Sequence, residues 1–214
     1  MLIKVCGMRD PENIRRVATV GIDWMGFIFY ARSPRFVGDV SLERMIGEKE
    51  AEERAVREPP VRVGVFVDAS LEYMMEMGNS YGLGYLQLHG SESPDTCYAL
   101  QKRGYAVIKA FSIANEEDLK LTADYEGRAD YFLFDTKCNG YGGSGKQFDW
   151  SVLAAYKGQT PFLLSGGINP DSVEDIRRFH HPKLAGLDLN SGFETAPGMK
   201  DAEKLKAFID KIKK

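Results

Sequence analysis

Pro161-Phe162-Leu163-Leu164-Ser165-Gly166-Gly167-Ile168-Asn169-Pro170-Asp171 reads as a short buried strand that passes through two glycines directly into a helix start. The apolar run is too brief for a helix, and Asn169 followed by Pro170 is a cap with proline at the first helical position. Backbone N–H groups beside a helix N-terminus favour an anion. The same order of strand, loop and helix recurs along the chain. Candidate strands are Leu2–Cys6, Asp23–Phe29, Val61–Val67, Gly84–Leu88, Ala106–Phe111, Tyr131–Asp135, Pro161–Ser165 and Ala185–Leu189. Helical segments follow Asp10-Pro11-Glu12 and Asn169-Pro170-Asp171. Others begin near Ser41, Ser70, Ser93, Asn115 and Asp149. A last amphipathic helix, about Asp201–Lys213, puts Leu205, Phe208, Ile209 and Ile212 on one face.

Eight strands alternating with eight helical segments imply parallel pairing through right-handed crossovers. An open doubly wound sheet uses the same alternation. The count of eight, the lack of Gly-x-Gly-x-x-Gly after the first strand and the distinctive residues just after strand ends favour closure. The fold expected is α/β, a single (β/α)8 TIM barrel, with residues 1–214 as one catalytic domain. Active sites of such barrels lie at the carboxyl ends of the strands.

With 214 residues, the chain is long enough for one sizeable core. A 43% hydrophobic and 28% charged composition is a soluble globular mixture. A net charge of -3 argues against nucleic acid as a partner, without excluding a small anionic substrate. No apolar run has membrane-spanning length and no signal segment opens the chain, so no membrane partner is expected. Cysteines at 6, 97 and 138 do not form a disulfide framework, and with His89, His180 and His181 they give no zinc spacing. No metal is expected, and reduced thiols point to the cytoplasm.

Cys6 ends the first strand and reads either as a small buried hydrophobe or as an ionisable group at the barrel mouth. Asp135 ends the sixth, as a loop cap or a site residue. The run Gly140-Tyr141-Gly142-Gly143-Ser144-Gly145-Lys146 follows, a glycine-rich loop able to close over a ligand. It is not a Walker A motif, since the glycine and lysine spacing is wrong and Gln147 follows Lys146. Ser165-Gly166-Gly167 after strand 7 and Asn190-Ser191-Gly192 after strand 8 pair as the phosphate site of many barrels. In Arg32-Ser33-Pro34-Arg35, proline stiffens a loop whose last arginine suits a carboxylate, unless it is merely a surface charge. His89, in Gln87-Leu88-His89-Gly90, is either ligand-facing or a hydrogen-bonded structural residue.

Taken together, the chain resembles phosphoribosylanthranilate isomerase. The resemblance rests on Lys4-Val5-Cys6-Gly7, Ser33-Pro34-Arg35, Gln87-Leu88-His89-Gly90-Ser91-Glu92, and Gly142-Gly143-Ser144-Gly145-Lys146 with Phe148-Asp149-Trp150. It continues through Ser165-Gly166-Gly167-Ile168-Asn169-Pro170, then Leu187-Asp188-Leu189-Asn190-Ser191-Gly192-Phe193-Glu194 with Pro197-Gly198. Ser144, Ser165 and Asn190 depart from residues common in that family, as does Lys137-Cys138-Asn139. The resemblance implies an Amadori rearrangement of a small phosphosugar substrate in tryptophan biosynthesis, with no cofactor. It implies Cys6 as general base and Asp135 as general acid, with Arg35, Gly143, Gly166, Gly167, Asp188, Ser191 and Gly192 binding substrate. It leaves the protein a monomer or a homodimer.

Such chemistry needs a neutral acid and a thiolate together. At ordinary pKa values of about 3.9 and about 8.5, only about one molecule in 40,000 would hold both. The expectation is therefore that burial raises Asp135 and that nearby positive potential lowers Cys6. Two rivals remain on the residues. The related isomerase of histidine biosynthesis typically uses two aspartates, which disfavours it here. A non-catalytic phosphate-ligand binder would not need Cys6 and Asp135 together.

Overall fold

The computed structural model describes residues 1–38, 59–136 and 150–213. Helix starts expected near Ser41 and Asp149, and the Gly140–Lys146 loop with Gly143, lie outside the described residues. The eight expected strands all form: β1 Leu2–Val5, β2 Trp24–Ile28, β3 Val61–Phe66, β4 Tyr85–Leu88, β5 Ala106–Ile113, β6 Tyr131–Thr136, β7 Phe162–Leu164 and β8 Leu184–Leu189. Each pairs in parallel with the next, and β8 pairs with β1 in register Lys4↔Asp188 and Val5↔Leu189, closing the barrel.

Helices begin where the caps predict. Asp10 accepts from the Asn13 amide ahead of α1 (Pro11–Ala18), and Ser70 from Tyr73 ahead of α2 (Leu71–Ser80). Ser93 does the same for α3 (Pro94–Gln101), which like α1 has proline at its start. After β7, a 3-10 turn over Pro170–Ser172 leads into α4 (Val173–Arg178). Asp201 caps α5 (Ala202–Ile212), which buries Leu205, Phe208 and Ile209 with Ile212 partly covered, as its periodicity requires. The segment after Asn115 is a correction in kind: Glu116–Tyr125 winds as 3-10 helix, as does Trp150–Ala155. Among the described residues no helix is long and apolar enough to cross a membrane.

The core has two parts because strand side chains alternate in and out. Outward residues such as Ile3, Val5, Phe27, Phe66 and Leu187 pack under the helices. Inside, Trp24, Tyr85 and Tyr131, from β2, β4 and β6, meet at centroid distances of 4.4, 5.2 and 6.0 Å and close the base. Val63, Ile108, Leu133 and Leu163 fill the barrel with Trp24. The apolar plug leaves only the carboxyl-end mouth for chemistry. Beyond β8 an unanticipated hairpin, β9 (Glu194–Ala196) and β10 (Met199–Lys200), turns at Pro197-Gly198. Its Lys200 backbone exchanges bonds of 2.8 and 2.7 Å with the Asn13 side chain, fixing the hairpin to α1.

Candidate active site

Alternation sends Lys4 and Cys6 of the first strand, Gln87 and His89 of the fourth, Asp135 of the sixth and Asp188 of the eighth toward the barrel interior. Lys4 is fully buried, and its Nζ lies 2.9 Å from Asp188 Oδ1. Cys6 is 4% exposed and interacts electrostatically with Lys4, and its amide donates to Leu189 O at 2.9 Å. Gly26 on β2 leaves room for the thiol: a Cβ there would stand 3.0 Å from the sulfur. Asp188 feels Lys4, Asp135 and His89 electrostatically, and Cys6 feels Asp188. The two expected proton carriers therefore face one shared carboxylate at one mouth.

Both groups depart from the surroundings expected of them. Burial pushes the Cys6 thiol up, and Lys4 and Lys200 only partly offset it. The positive potential anticipated at Cys6 is present, but it comes from lysines and is outweighed by desolvation. Lys4 stays an ammonium: burial works against its charge, but Asp188 and Cys6 hold it above the ordinary lysine range. Asp135 is about one-third exposed, 32%, rather than buried as the acid role suggested.

His89 is tied on one side and turned to Asp135 on the other. Gln87 Nε2 lies 2.8 Å from His89 Nδ1, and His89 Nε2 lies 3.6 Å from Asp135 Oδ2. In this orientation of the amide, Nδ1 accepts, so a neutral ring carries its proton on Nε2, toward the carboxylate. The loop bearing His89 is braced from below. The buried Lys109 ammonium donates to Leu88 O, Gly90 O and Glu92 Oε2 at 3.2, 2.6 and 3.1 Å, while Glu92 accepts from the Asp68 and Gly90 amides. Asp68, held with φ 49, accepts from the amide and hydroxyl of Ser91.

Arg35 is placed at the mouth but is already paired. Its Nε and Nη2 bond Glu194 at 2.8 and 2.6 Å, and that bond holds the guanidinium charged. Glu194 Oε1 also accepts from Lys200 Nζ at 2.5 Å and from the Gly198 amide at 3.0 Å. Burial works against the Glu194 charge, but Arg35 and Lys200 win and hold it below the usual carboxylate range. Burial pulls Lys200 down despite Glu194. Lys4, Glu194 and Lys200 were not assigned from sequence. A charged residue inside an apolar strand was the available signal for Lys4, whereas Lys200 needed the hairpin to be seen.

The two glycine loops meet as expected. Gly166 and Gly167 carry φ of 82 and 68 just after β7, a conformation that L side chains resist. Asn169 then accepts from the Asp171 amide at 2.9 Å to start the turn. Ser191 and Gly192 lie in a 3-10 turn after β8. A Cβ on Gly192 would stand 2.3 Å from Ile168 O and 3.0 Å from Asn169, so the two loops approach closely at Gly192. Gly143 falls outside the described residues.

A family model described as N-(5'phosphoribosyl)anthranilate (PRA) isomerase matches residues 3–211. The N-(5'-phosphoribosyl)anthranilate isomerase of Parabacteroides distasonis is 61% identical over 212 residues, with 99% of this chain and 93% of the relative covered. A crystal structure of phosphoribosyl anthranilate isomerase from Thermotoga maritima is similar with a TM-score of 0.82 at 33% identity, covering 100% of this chain and 98% of that one. Another solved isomerase, TM-score 0.80 and 31% identical with the same coverage, is in complex with reduced 1-(o-carboxyphenylamino)-1-deoxyribulose 5-phosphate. Matched along nearly its full length in both sequence and architecture, the chain belongs to the N-(5'-phosphoribosyl)anthranilate isomerase family and is an isomerase of tryptophan biosynthesis.

Proposed function

We propose that the chain converts N-(5'-phosphoribosyl)anthranilate to 1-(2-carboxyphenylamino)-1-deoxyribulose 5-phosphate by a cofactor-free Amadori rearrangement, with Cys6 as general base and Asp135 as general acid. Asp135 donates its proton to the furanose ring oxygen as the C1–O bond breaks, and the anilino nitrogen's lone pair completes a Schiff base. Cys6 removes the C2 proton, leaving an enolamine that tautomerises to the ketone. The observation carrying this reading is that Cys6 and Asp135, from strands 1 and 6, both lie within electrostatic reach of Asp188 at one mouth. The bound product analogue of the related enzyme has the phosphate, sugar and carboxylated ring this arrangement needs to hold.

The phosphate rests on the loops of Gly166, Gly167, Ser191 and Gly192, where touching backbones offer N–H groups. Gly143 is assigned to the substrate on the resemblance alone, Asp188 faces the sugar, and the carboxylate meets the Arg35 edge left by Glu194. Residues 1–214 work as one barrel domain, in the cytoplasm, as a monomer or homodimer. The test is rescue of a tryptophan-requiring strain lacking this isomerase, with purified turnover alongside. Wild type should rescue. Cys6→Ser and Asp135→Asn should fold yet lose roughly 10²–10⁴ in kcat, the usual worth of a positioned proton carrier. Undiminished kcat in either variant removes that residue's role. Tight binding of the product analogue with no turnover by wild type would make the chain a binding protein.

A further inference from the structure

The Lys4–Asp188 pair lies inside the barrel, above an interior of Trp24, Val63, Ile108, Leu133 and Leu163. Stability is a weak reason for placing it there, because apolar side chains would fill the space without desolvating two charges. The position of Lys4 offers a better reason. Residues two apart on a strand share a face, so Lys4 sits one step below Cys6 on the inner side of β1. An ammonium has three donors. Asp188 takes one at 2.9 Å, which leaves others on the side of the barrel where Cys6 stands one step above on the same strand face.

We propose that Lys4 is a positioning residue for the reaction, its buried ammonium pinned by Asp188 one step below Cys6 on the inner face of β1 so that its charge supports a Cys6 thiolate at the mouth. The proposal rests on Cys6 being the base. The charges facing Cys6 come from four elements: Lys4 on its own strand, Asp188 on β8, Lys200 on the hairpin and Arg35 after β2. Arg35 and Lys200 are both bonded to Glu194, which balances much of their charge. Among the described cations, Lys4 acts most strongly on the sulfur. When Cys6 takes the C2 proton, an S–H bond forms, the C2–H bond breaks and its electron pair stays on the substrate. Lys4 keeps its proton throughout, and Asp188 continues to neutralise it once the sulfur is a thiol.

The test follows Cys6 itself in ligand-free protein, by the Cβ chemical shift of isotopically labelled cysteine across pH. Cys6→Ser assigns the signal among the three cysteines of the chain. Lys4→Met should raise the Cys6 titration by about one pH unit or more, which is tenfold less thiolate. The acid limb of kcat/KM should rise with it, and Lys4→Arg should restore most of the shift. Asp188→Asn should move the titration the other way, since Lys4 then serves the sulfur alone. If Lys4→Met fails to fold around an orphaned carboxylate, Asp188→Asn carries the test. A Cys6 titration that stays put in either folded variant overturns the proposal. Full turnover by Cys6→Ser would instead remove the base assignment while leaving the titration result readable.

Discussion

Nε2 of His89 stands 3.6 Å from Oδ2 of Asp135, facing it from β4 across the top of β5, with Nδ1 committed to Gln87. The separation exceeds that of a hydrogen bond, so the pair meets electrostatically and closes further only if either group moves. His89→Ala removes the hydrogen bond to Gln87, worth about 0.5–1.5 kcal/mol, and with it the ring that faces Asp135. kcat should fall roughly threefold to tenfold with the fold intact. A loss beyond about a hundredfold in steady-state assays would make His89 a proton carrier in its own right.

The pH profile follows from the thiol. Burial pushes Cys6 up, and a base works only when deprotonated, so raising its pKa moves the rising limb of kcat/KM to higher pH. Activity should still be climbing with pH above about 8.5, the ordinary thiol value. A limb complete below about pH 7 would contradict the direction of that shift in the free enzyme.

Glu194 occupies the Nε–Nη2 edge of Arg35, and among the described residues no hydrogen bond is made by Nη1, the side proposed above for a ligand carboxylate. Glu194→Gln weakens charge-assisted bonds worth about 1.5–3 kcal/mol each. Arg35 should lose its fixed aim, raising KM roughly tenfold while kcat changes little. Equal loss in kcat and kcat/KM would place Glu194 in the chemical step instead.

The same carboxylate makes a stability prediction. Its folded pKa is depressed, so its contribution is present above the unfolded value of about 4.3 and is lost as pH falls through the lower folded value. Wild type should melt above Glu194→Gln near neutral pH, and the gap in Tm should close on acidification below about pH 4. A gap that persists in acid would assign it to shape rather than charge.

Gly192→Ala would drive a methyl group into Ile168 O and part the loops after β7 and β8. KM should rise about tenfold or more, and inhibition by inorganic phosphate should weaken in parallel, since a phosphate group loses roughly one charge-assisted bond. Unchanged phosphate inhibition would put the phosphate elsewhere.

Local signals in the sequence reached the barrel because each strand is an apolar run bounded by turn residues, and Asp10, Ser70, Ser93, Asn169 and Asp201 mark helix starts chemically. Strand ends differ by a residue or two: Cys6 and Ser165 lie past the ladder, while β5 runs on to Ile113. The turn after Asn115 was recognised, but not its 3-10 winding, which has no distinct residue signature. At the site, the glycines of the two loops were visible as a pattern. The pairing of Arg35 with Glu194 was not, because the two stand 159 positions apart and meet only through a hairpin after the last strand. Asp135 is expected to be buried because a general acid must keep its proton, yet a residue at the strand end opens onto the mouth.

Lys4 and Asp188 are 184 positions apart, and the Cys6 amide finds its acceptor in Leu189. A ribosome therefore releases the thiol with the first barrel strand and its supporting carboxylate only with the last. Until then the first strand lacks one of its two neighbours, and its lysine has no anion. Nascent or truncated chains ending before the eighth strand should thus be inert however much of the barrel they have folded.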